Sequence, residues 1–353
     1  MEAAKWITAL RDIGAEVTRA AGHFDDHEDA DVTIRGMWAA VPGGTPPDVD
    51  TSAIDRLCSG HDLLILDNAA TLPSAPEASR AWETAAIAHA IPTIVRHHDP
   101  PWQTKSMRPD LDGSVPVTNS RFLHVVINQQ TLHEYAQRWP ELDSIGALRV
   151  VTNRVDTIRL SKGGDRERTR QLLGVDPDSV LLVHPARAVA RKNIPRAVEF
   201  ANTLSTLVDQ PVRYWLTDPS VVSQEDPIAE ALKDAPGLLR GHVPDQADMY
   251  AAADVVLLPS TWEGWGLPVV EAAAARRLIV AGPYPILDEI RAAVPVIFDP
   301  SQAPQVASIL RSRGKLDELL HHNAIAAAKH FDLAELPSIL TELATDAHRL
   351  AKS

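Results

Sequence analysis

The stretch "DVVLLPSTWEGWGLPVVEAAAARR", residues 254–277, decides how the rest of the chain is read. Its opening burst, Val255 to Leu258, has the length and composition of a strand buried on both faces. Pro259 ends that run, and a loop with Glu263 and a Gly264-Trp265-Gly266 turn follows. Pro268 suits the first turn of a helix, where it leaves no bond unmade and its φ is preset. Glu271 then falls about one turn further in. A buried strand, a glycine turn and a helix in that order mark the ligand end of a parallel sheet.

The residue types in this stretch suit one ligand. Gly264 and Gly266 let the backbone come close to a bound molecule. Free N–H groups at a helix start, reinforced by the helix dipole, attract phosphate. The Glu271 carboxylate can accept two hydrogen bonds from a vicinal diol such as a ribose, and Glu263, in the loop, can take hydroxyls of a second sugar. A diphosphate with a sugar at each end is a nucleotide-sugar. The cations it requires are in "LLVHPARAVARKN", residues 181–193: Arg187 follows a buried strand and Lys192 stands at the next helix entrance. They would stabilise the charge that grows on a departing phosphate. Each residue taken singly has a plainer reading. Two glutamates at this spacing are more often a solvated helix face, Arg187 and Lys192 surface charges, and Trp262 and Trp265 packing. Both elements follow strands of one domain and both fit one ligand, and that conjunction favours a site.

Working outward, the second half alternates strands and helices: "SVLLVHPAR", "NIPRAVEFANTLSTLV", "VRYWLTD", "QADMYAAA", "DVVLLPS", "PVVEAAAAR" and "LIVAG". The first half does the same. A helix in "AAKWITALRDIGAEVTRA" is followed by a short strand around Val17, then "DVTIRGM", "HDLLILDNA", a long helix through "EASRAWETAAIAHA", "IPTIVRHHD", the strand "FLHVVINQ" and the helix "QTLHEYAQRW". The charged "RLSKGGDRERTRQLLGVDPD" breaks the rhythm and marks the crossing, near residue 160, between domains spanning 1–160 and 161–335. The expected fold is therefore α/β, two doubly wound domains with parallel sheets, facing one another across a cleft that is the default ligand site. A doubly wound domain normally opens on a strand. This chain opens on a helix, and the expectation is that the first strand is missing.

Composition narrows the partners. A net charge of −13 argues against nucleic acid and a polybasic membrane surface. The single cysteine, Cys58, rules out an internal disulfide framework, fits a reducing, cytoplasmic setting and reads as a small buried apolar residue. No apolar run is long enough to span a bilayer, which leaves peripheral membrane contact open.

The motifs "GHVPDQADMYAAADVVLLPSTWEGWGLPVVEAAAA", "HPARAVARKN" and "VVTNRVD" resemble those of the retaining GT-B glycosyltransferases of family 4, the glycosyl transferases group 1 type. The likeness runs from Ser179 to about Pro300 and is thinner before it. It implies two facing Rossmann-like domains, a final helix over 336–353 packing back on the N-terminal, acceptor-side domain, and metal-free transfer with retained configuration. Residue by residue, it implies that Glu271 binds ribose and Glu263 the donor hexose. Gly264, Trp265, Gly266 and Leu267 would form the turn at the sugar and diphosphate. Arg187 and Lys192 match the diphosphate pair, and Val243 a position whose backbone faces the base. In the first domain, "TIVRHHDPP" resembles the strand end that carries an active-site histidine, with His98 fitting better than His97. The tract "AGPYPILDEI" keeps a carboxylate at Glu289 but lacks the glycine-rich turn of many members.

Other candidates weigh less. The Asp-x-Asp spacings at Asp29/Asp31, Asp48/Asp50 and Asp110/Asp112 read as loop and turn formers rather than metal ligands. His23 and His27 have metal-ligand spacing but lie in an acidic loop. His97-His98-Asp99 lacks a nucleophile partner for a hydrolase. Asp67 and Asn68, at a strand end, read as caps of the next loop. The sequence thus points to a metal-independent hexosyltransferase that needs no cofactor and uses a UDP- or GDP-hexose. The alternatives are an epimerase or hydrolase of the same fold, or a non-catalytic sugar-nucleotide binder.

Overall fold

The computed structural model describes residues 2–24, 31–37, 48–71, 76–98, 100–103, 116–218 and 227–352. The chain divides into two compact units, Met1–Thr152 with Ala334–Ser353, and Asn153–Leu333.

The first unit begins with α1 (Glu2–Asp12) and a two-stranded parallel pair, β1 (Ala20–Ala21) and β2 (Val32–Thr33). The short strand sits just beyond Val17, because Ala20 and Ala21 are the residues that pair with Val32 and Thr33. Next come α2 (Thr51–Gly60), β3 (Leu64–Asp67), α3 (Pro76–Ala88), β4 (Thr93–His97), β5 (Leu123–Val126), α4 (Gln129–Arg138), α5 (Pro140–Ser144) and β6 (Leu148–Val150). Strands β3 to β6 pair in that order, all parallel. The runs of β4 and β5 are buried throughout, as strands covered on both faces must be. Asp50 caps α2, accepting from Ala53 N at 3.0 Å, and Asn128 caps α4, accepting from Thr131 N at 2.7 Å. Ile34, Ile54, Cys58, Leu66, Trp82 and Phe122 form the core on one side of this sheet.

The second unit comprises α6 (Thr157–Lys162), α7 (Arg166–Leu172), β7 (Val180–Arg187), α8 (Ile194–Ser205), β8 (Val212–Asp218), α9 (Pro227–Lys233), β9 (Leu239–Arg240), α10 (Gln246–Ala252), β10 (Val255–Leu258), α11 (Leu267–Ala274), β11 (Leu278–Ala281), α12 (Leu287–Ala293), α13 (Ala303–Leu310) and α14 (Arg313–Phe331). The charged crossing stretch folds with this unit: α6 packs on α11 and α14. Arg170, buried on α7, bonds Asp254 and four backbone carbonyls, of Ala252, Asp176, Pro177 and Ser179. The unit boundary accordingly falls at Thr152/Asn153, ahead of the crossing near residue 160.

Strand order in the second sheet is β11-β10-β7-β8-β9, all parallel. From β7 the chain winds outward through β8 and β9, then returns to lay β10 against the other side of β7. The strand order reverses between β7 and β10, the switch point at whose carboxyl end ligands bind in open parallel sheets. The last helix, α15 (Leu336–Ala351), joins the first unit, packing on α1, β4 and β5, with Arg149 Nη2 2.7 Å from Asp346 Oδ2.

Candidate active site

The loops after β7 and β10 meet at that reversal. After Arg187 the chain makes a 3-10 turn over Ala190–Lys192, passes through Asn193 in the left-handed region (φ +51°) and enters α8. Thr261 N, in the loop after β10, donates to Arg191 O at 2.9 Å and stitches the two loops together. The Lys192 Nζ then lies 2.5 Å from Glu263 Oε1, and Arg191 Nη1 lies 3.0 Å from Glu263 Oε2. Lys192 and Glu263 are both buried. Burial lowers the Lys192 pKa, Glu263 opposes that, and the neighbouring charges of Arg191 and Arg187 add to it.

Two cations therefore meet one carboxylate. Lys192 is a direct ion-pair partner of Glu263, and Arg191 is the second cation on that carboxylate. Arg187, at the end of β7, is exposed and reaches Lys192 through its charge. Arg191 was passed over; its signal was its place beside Lys192 in "ARKN".

Beyond Glu263, Gly266 adopts φ +103° and starts α11. A Cβ there would overlap the Tyr284 hydroxyl, so both conformation and space demand glycine. Leu267 and Pro268 open α11, as the proline required. Trp265 is buried, its ring edge-on to Phe331 at 5.8 Å between centroids, which gives it a packing role in this turn. Glu271 is buried one turn into α11 and accepts from the Tyr250 hydroxyl at 2.7 Å. Tyr250, on α10, was not singled out from the sequence. Gly264 is half-buried in the turn, and Val243 is half-buried in the segment between β9 and α10. The structure thus brings Arg191, Lys192, Glu263, the Gly264–Leu267 turn and Glu271 with Tyr250 to the carboxyl edge of one sheet.

His98 belongs to the first unit, at the carboxyl end of β4. Its Nε2 is 2.9 Å from Asp67 Oδ1, and its backbone N–H donates to Asn68 Oδ1 at 3.0 Å. Asp67 also faces Arg96, which is fully buried under Trp6 with ring centroid and guanidinium 4.4 Å apart. Burial would raise the Asp67 pKa, but the bond to His98 and the Arg96 charge bring it below the ordinary carboxyl value. Asp67 and Asn68 therefore hold His98 as well as shaping the loop.

His97 is fully buried and wired differently. Thr71 Oγ1 is 2.6 Å from His97 Nδ1, His97 Nε2 is 3.1 Å from His124 Nδ1, and His124 Nε2 is 2.9 Å from Asn119 O. A carbonyl only accepts, so His124 carries its proton on Nε2 and accepts on Nδ1. His97 then donates from Nε2 and accepts from Thr71. Burial pushes both histidines down, His124 to about 4, and favours this neutral chain. Among the other candidates, Asp31 pairs with Arg19 at 2.6 Å, Asp48 faces Arg35 at 3.4 Å, and Asp50 is the α2 cap. His27, Asp29, Asp99, Asp110 and Asp112 lie outside the described residues.

Comparison with known proteins agrees with this architecture. Residues 165–330 match the family model "Glycosyl transferases group 1". The chain is 23% identical over 341 residues to mannosylglucosylglycerate synthase of Thermotoga maritima, covering 82% of this chain and 77% of that protein. Its fold matches WaaG, a glycosyltransferase involved in lipopolysaccharide biosynthesis, with TM-score 0.66 and 13% identity over 98% of this chain and 95% of that one. It also matches Anabaena Alr3699/HepE in complex with UDP-glucose, with TM-score 0.64 and 16% identity over 84% and 82% of the two chains. The fold is that of the GT-B neighbours, and the stretch similar to the glycosyl transferases group 1 model lies within the second unit.

Proposed function

We propose that this chain, a GT-B fold carrying a glycosyl transferases group 1 domain, transfers a hexose from a nucleotide-sugar to an acceptor hydroxyl with retained anomeric configuration. One observation carries the reading: Arg191 and Lys192 converge on Glu263 at the strand-order reversal, with Glu271 on the helix that leaves the same loop. Cations, a helix start and two carboxylates at the carboxyl edge of one sheet suit a diphosphate flanked by two sugars.

In this reading Glu271 accepts from the ribose diol, held in place by Tyr250. Lys192, Arg191 and Arg187 meet the diphosphate. The acceptor oxygen attacks the anomeric carbon on the face from which the diphosphate leaves. The C–O bond to the phosphate breaks, its electron pair stays on the departing phosphate oxygen, and that oxygen takes the acceptor's proton. The cations stabilise the growing charge, the role a divalent metal plays elsewhere, so the reaction is proposed to need none. Glu263 keeps lone pairs for a hydroxyl of the hexose. Val243 is assigned to the base and Trp265 to the packing of the turn. The lone buried cysteine supports a cytoplasmic setting.

The test is a thermal-shift screen against UDP- and GDP-hexoses, then product analysis by mass spectrometry with candidate acceptor alcohols. A solved relative in the same fold holds UDP-glucose, so UDP-hexoses come first. A glycoside formed in the presence of EDTA supports the reading. A free, altered hexose as sole product, or activity abolished by EDTA, overturns it.

A further inference from the structure

Several buried polar atoms towards the carboxyl ends of β7, β10 and β11 have no hydrogen-bond partner among the described residues: His184 Nε2, Ser260 Oγ, Trp265 Nε1 and the Tyr284 hydroxyl. Burying such a group without a partner is costly, so each one calls for an explanation. Tyr284 has the sharpest setting. It is 5% exposed, follows β11 and lies against the Gly264–Gly266 turn, where its hydroxyl fills the space a Gly266 side chain would occupy. Burial, and then the Glu263 charge, raise its pKa well above the ordinary value, so the hydroxyl keeps its proton and remains a donor. Leading into that turn, Glu263 spends one bond on Lys192 and one on Arg191, and a carboxylate has about four lone-pair sites.

A donor packed against the turn and an acceptor leading into it select for their ligand. A phosphate oxygen only accepts and is repelled by Glu263. A sugar hydroxyl both accepts and donates. We infer that Tyr284 and Glu263 together bind one hydroxyl of the transferred hexose, with Tyr284 donating and Glu263 accepting, so that Tyr284 is a specificity-determining residue. The inference rests on the nucleotide-sugar reading above and narrows it: the enzyme discriminates hexoses at the hydroxyl these two groups share.

Tyr284→Phe removes one oxygen and keeps the ring. Melting temperatures of both proteins are read alone, with UDP or GDP, and with UDP-glucose or GDP-mannose, using the nucleotide that shifts wild type. The variant alone should melt at or above wild type, and its shift with nucleoside diphosphate should be unchanged. The extra shift given by the hexose should shrink, with affinity for the nucleotide-hexose falling about ten-fold, the worth of one hydrogen bond. Among deoxy-hexose donors, one position should bind equally to both proteins. A variant that binds the nucleotide-hexose as tightly as wild type overturns the assignment. So does a variant that melts lower on its own, because the hydroxyl then already has a partner in the protein. If wild type is shifted by none of these nucleotides, the nucleotide-sugar reading itself fails. If wild type is shifted and the variant is indifferent, only the Tyr284 assignment falls.

Discussion

The Tyr250 hydroxyl donates to Glu271 Oε2 at 2.7 Å, joining α10 to α11 with both side chains buried. The carboxylate is thereby fixed before any ligand arrives, and fixed groups bind with less ordering cost. Tyr250→Phe should weaken nucleoside diphosphate binding by about three- to ten-fold, the worth of one orienting hydrogen bond. Glu271→Ala should weaken it further, since it removes the acceptor and leaves the Tyr250 hydroxyl without it. Calorimetric titration with the nucleotide reads both; equal affinity in all three proteins would remove Glu271 from the site.

Lys192 and Glu263 form a buried pair, and removing Lys192 takes away one of the two cations on that carboxylate, leaving Arg191. Lys192→Met should destabilise the protein by about 1–3 kcal/mol, measured by urea unfolding. Lys192→Met combined with Glu263→Gln should recover part of that loss, although turnover should fall by at least 10²-fold in either protein. Additive losses in the double variant would mean that the two groups are not coupled.

Gly266 stands at φ +103° with the Tyr284 hydroxyl where a side chain would go. Gly266→Ala should cost about 1–3 kcal/mol in backbone strain, plus displacement of Tyr284, and should abolish turnover. An alanine variant with wild-type melting temperature and rate would show that the turn relaxes freely.

The neutral Thr71–His97–His124 chain has a pH signature. His124 is held at about 4 in the fold, against 6.5 for an ordinary histidine, mainly by burial. Within that window the unfolded chain binds a proton the native chain does not. Stability is therefore full above about pH 6.5 and falls as the pH drops towards 4, by about 1.4 kcal/mol per pH unit for each such group. His97 and His184 act in the same direction. His124→Gln keeps a donor and an acceptor but cannot be protonated. Urea unfolding at pH 7.5 and 5 should show a smaller drop for this variant than for wild type. An unchanged drop would dissociate His124 from the acid response.

Cys58 is buried, and burial, then Asp55, raise its thiol to about 11. At pH 8 it stays a thiol, so a maleimide should label the native protein far more slowly than the urea-unfolded chain. Rapid native labelling would contradict the core placement.

Some features were written locally and others were not. Gly266 and Pro268 announced the turn and helix start, because each residue restricts its own backbone. The apolar bursts that became β7, β10 and β11 showed parallel strands for a similar reason: a strand covered on both faces must be apolar along its length. By contrast, α2 and β6 were not singled out. The three-residue β6 is completed by pairing with β5, and pairing leaves little trace in so short a run.

The chain alone determined the α/β class, the strand–turn–helix at residues 254–277 and the positions of Glu263 and Glu271 along it. Tertiary structure decided what those carboxylates touch. Lys192 and Glu263 are 71 residues apart, and Tyr250 and Glu271 are 21 apart. The first pair meets because β10 returns to lie beside β7, the second because α10 and α11 flank β10 in the chain and the Tyr250 side chain reaches across to Glu271. Local patterning fixes which residues face inward. Which inward-facing residues become neighbours is set by strand order, a property of the whole sheet.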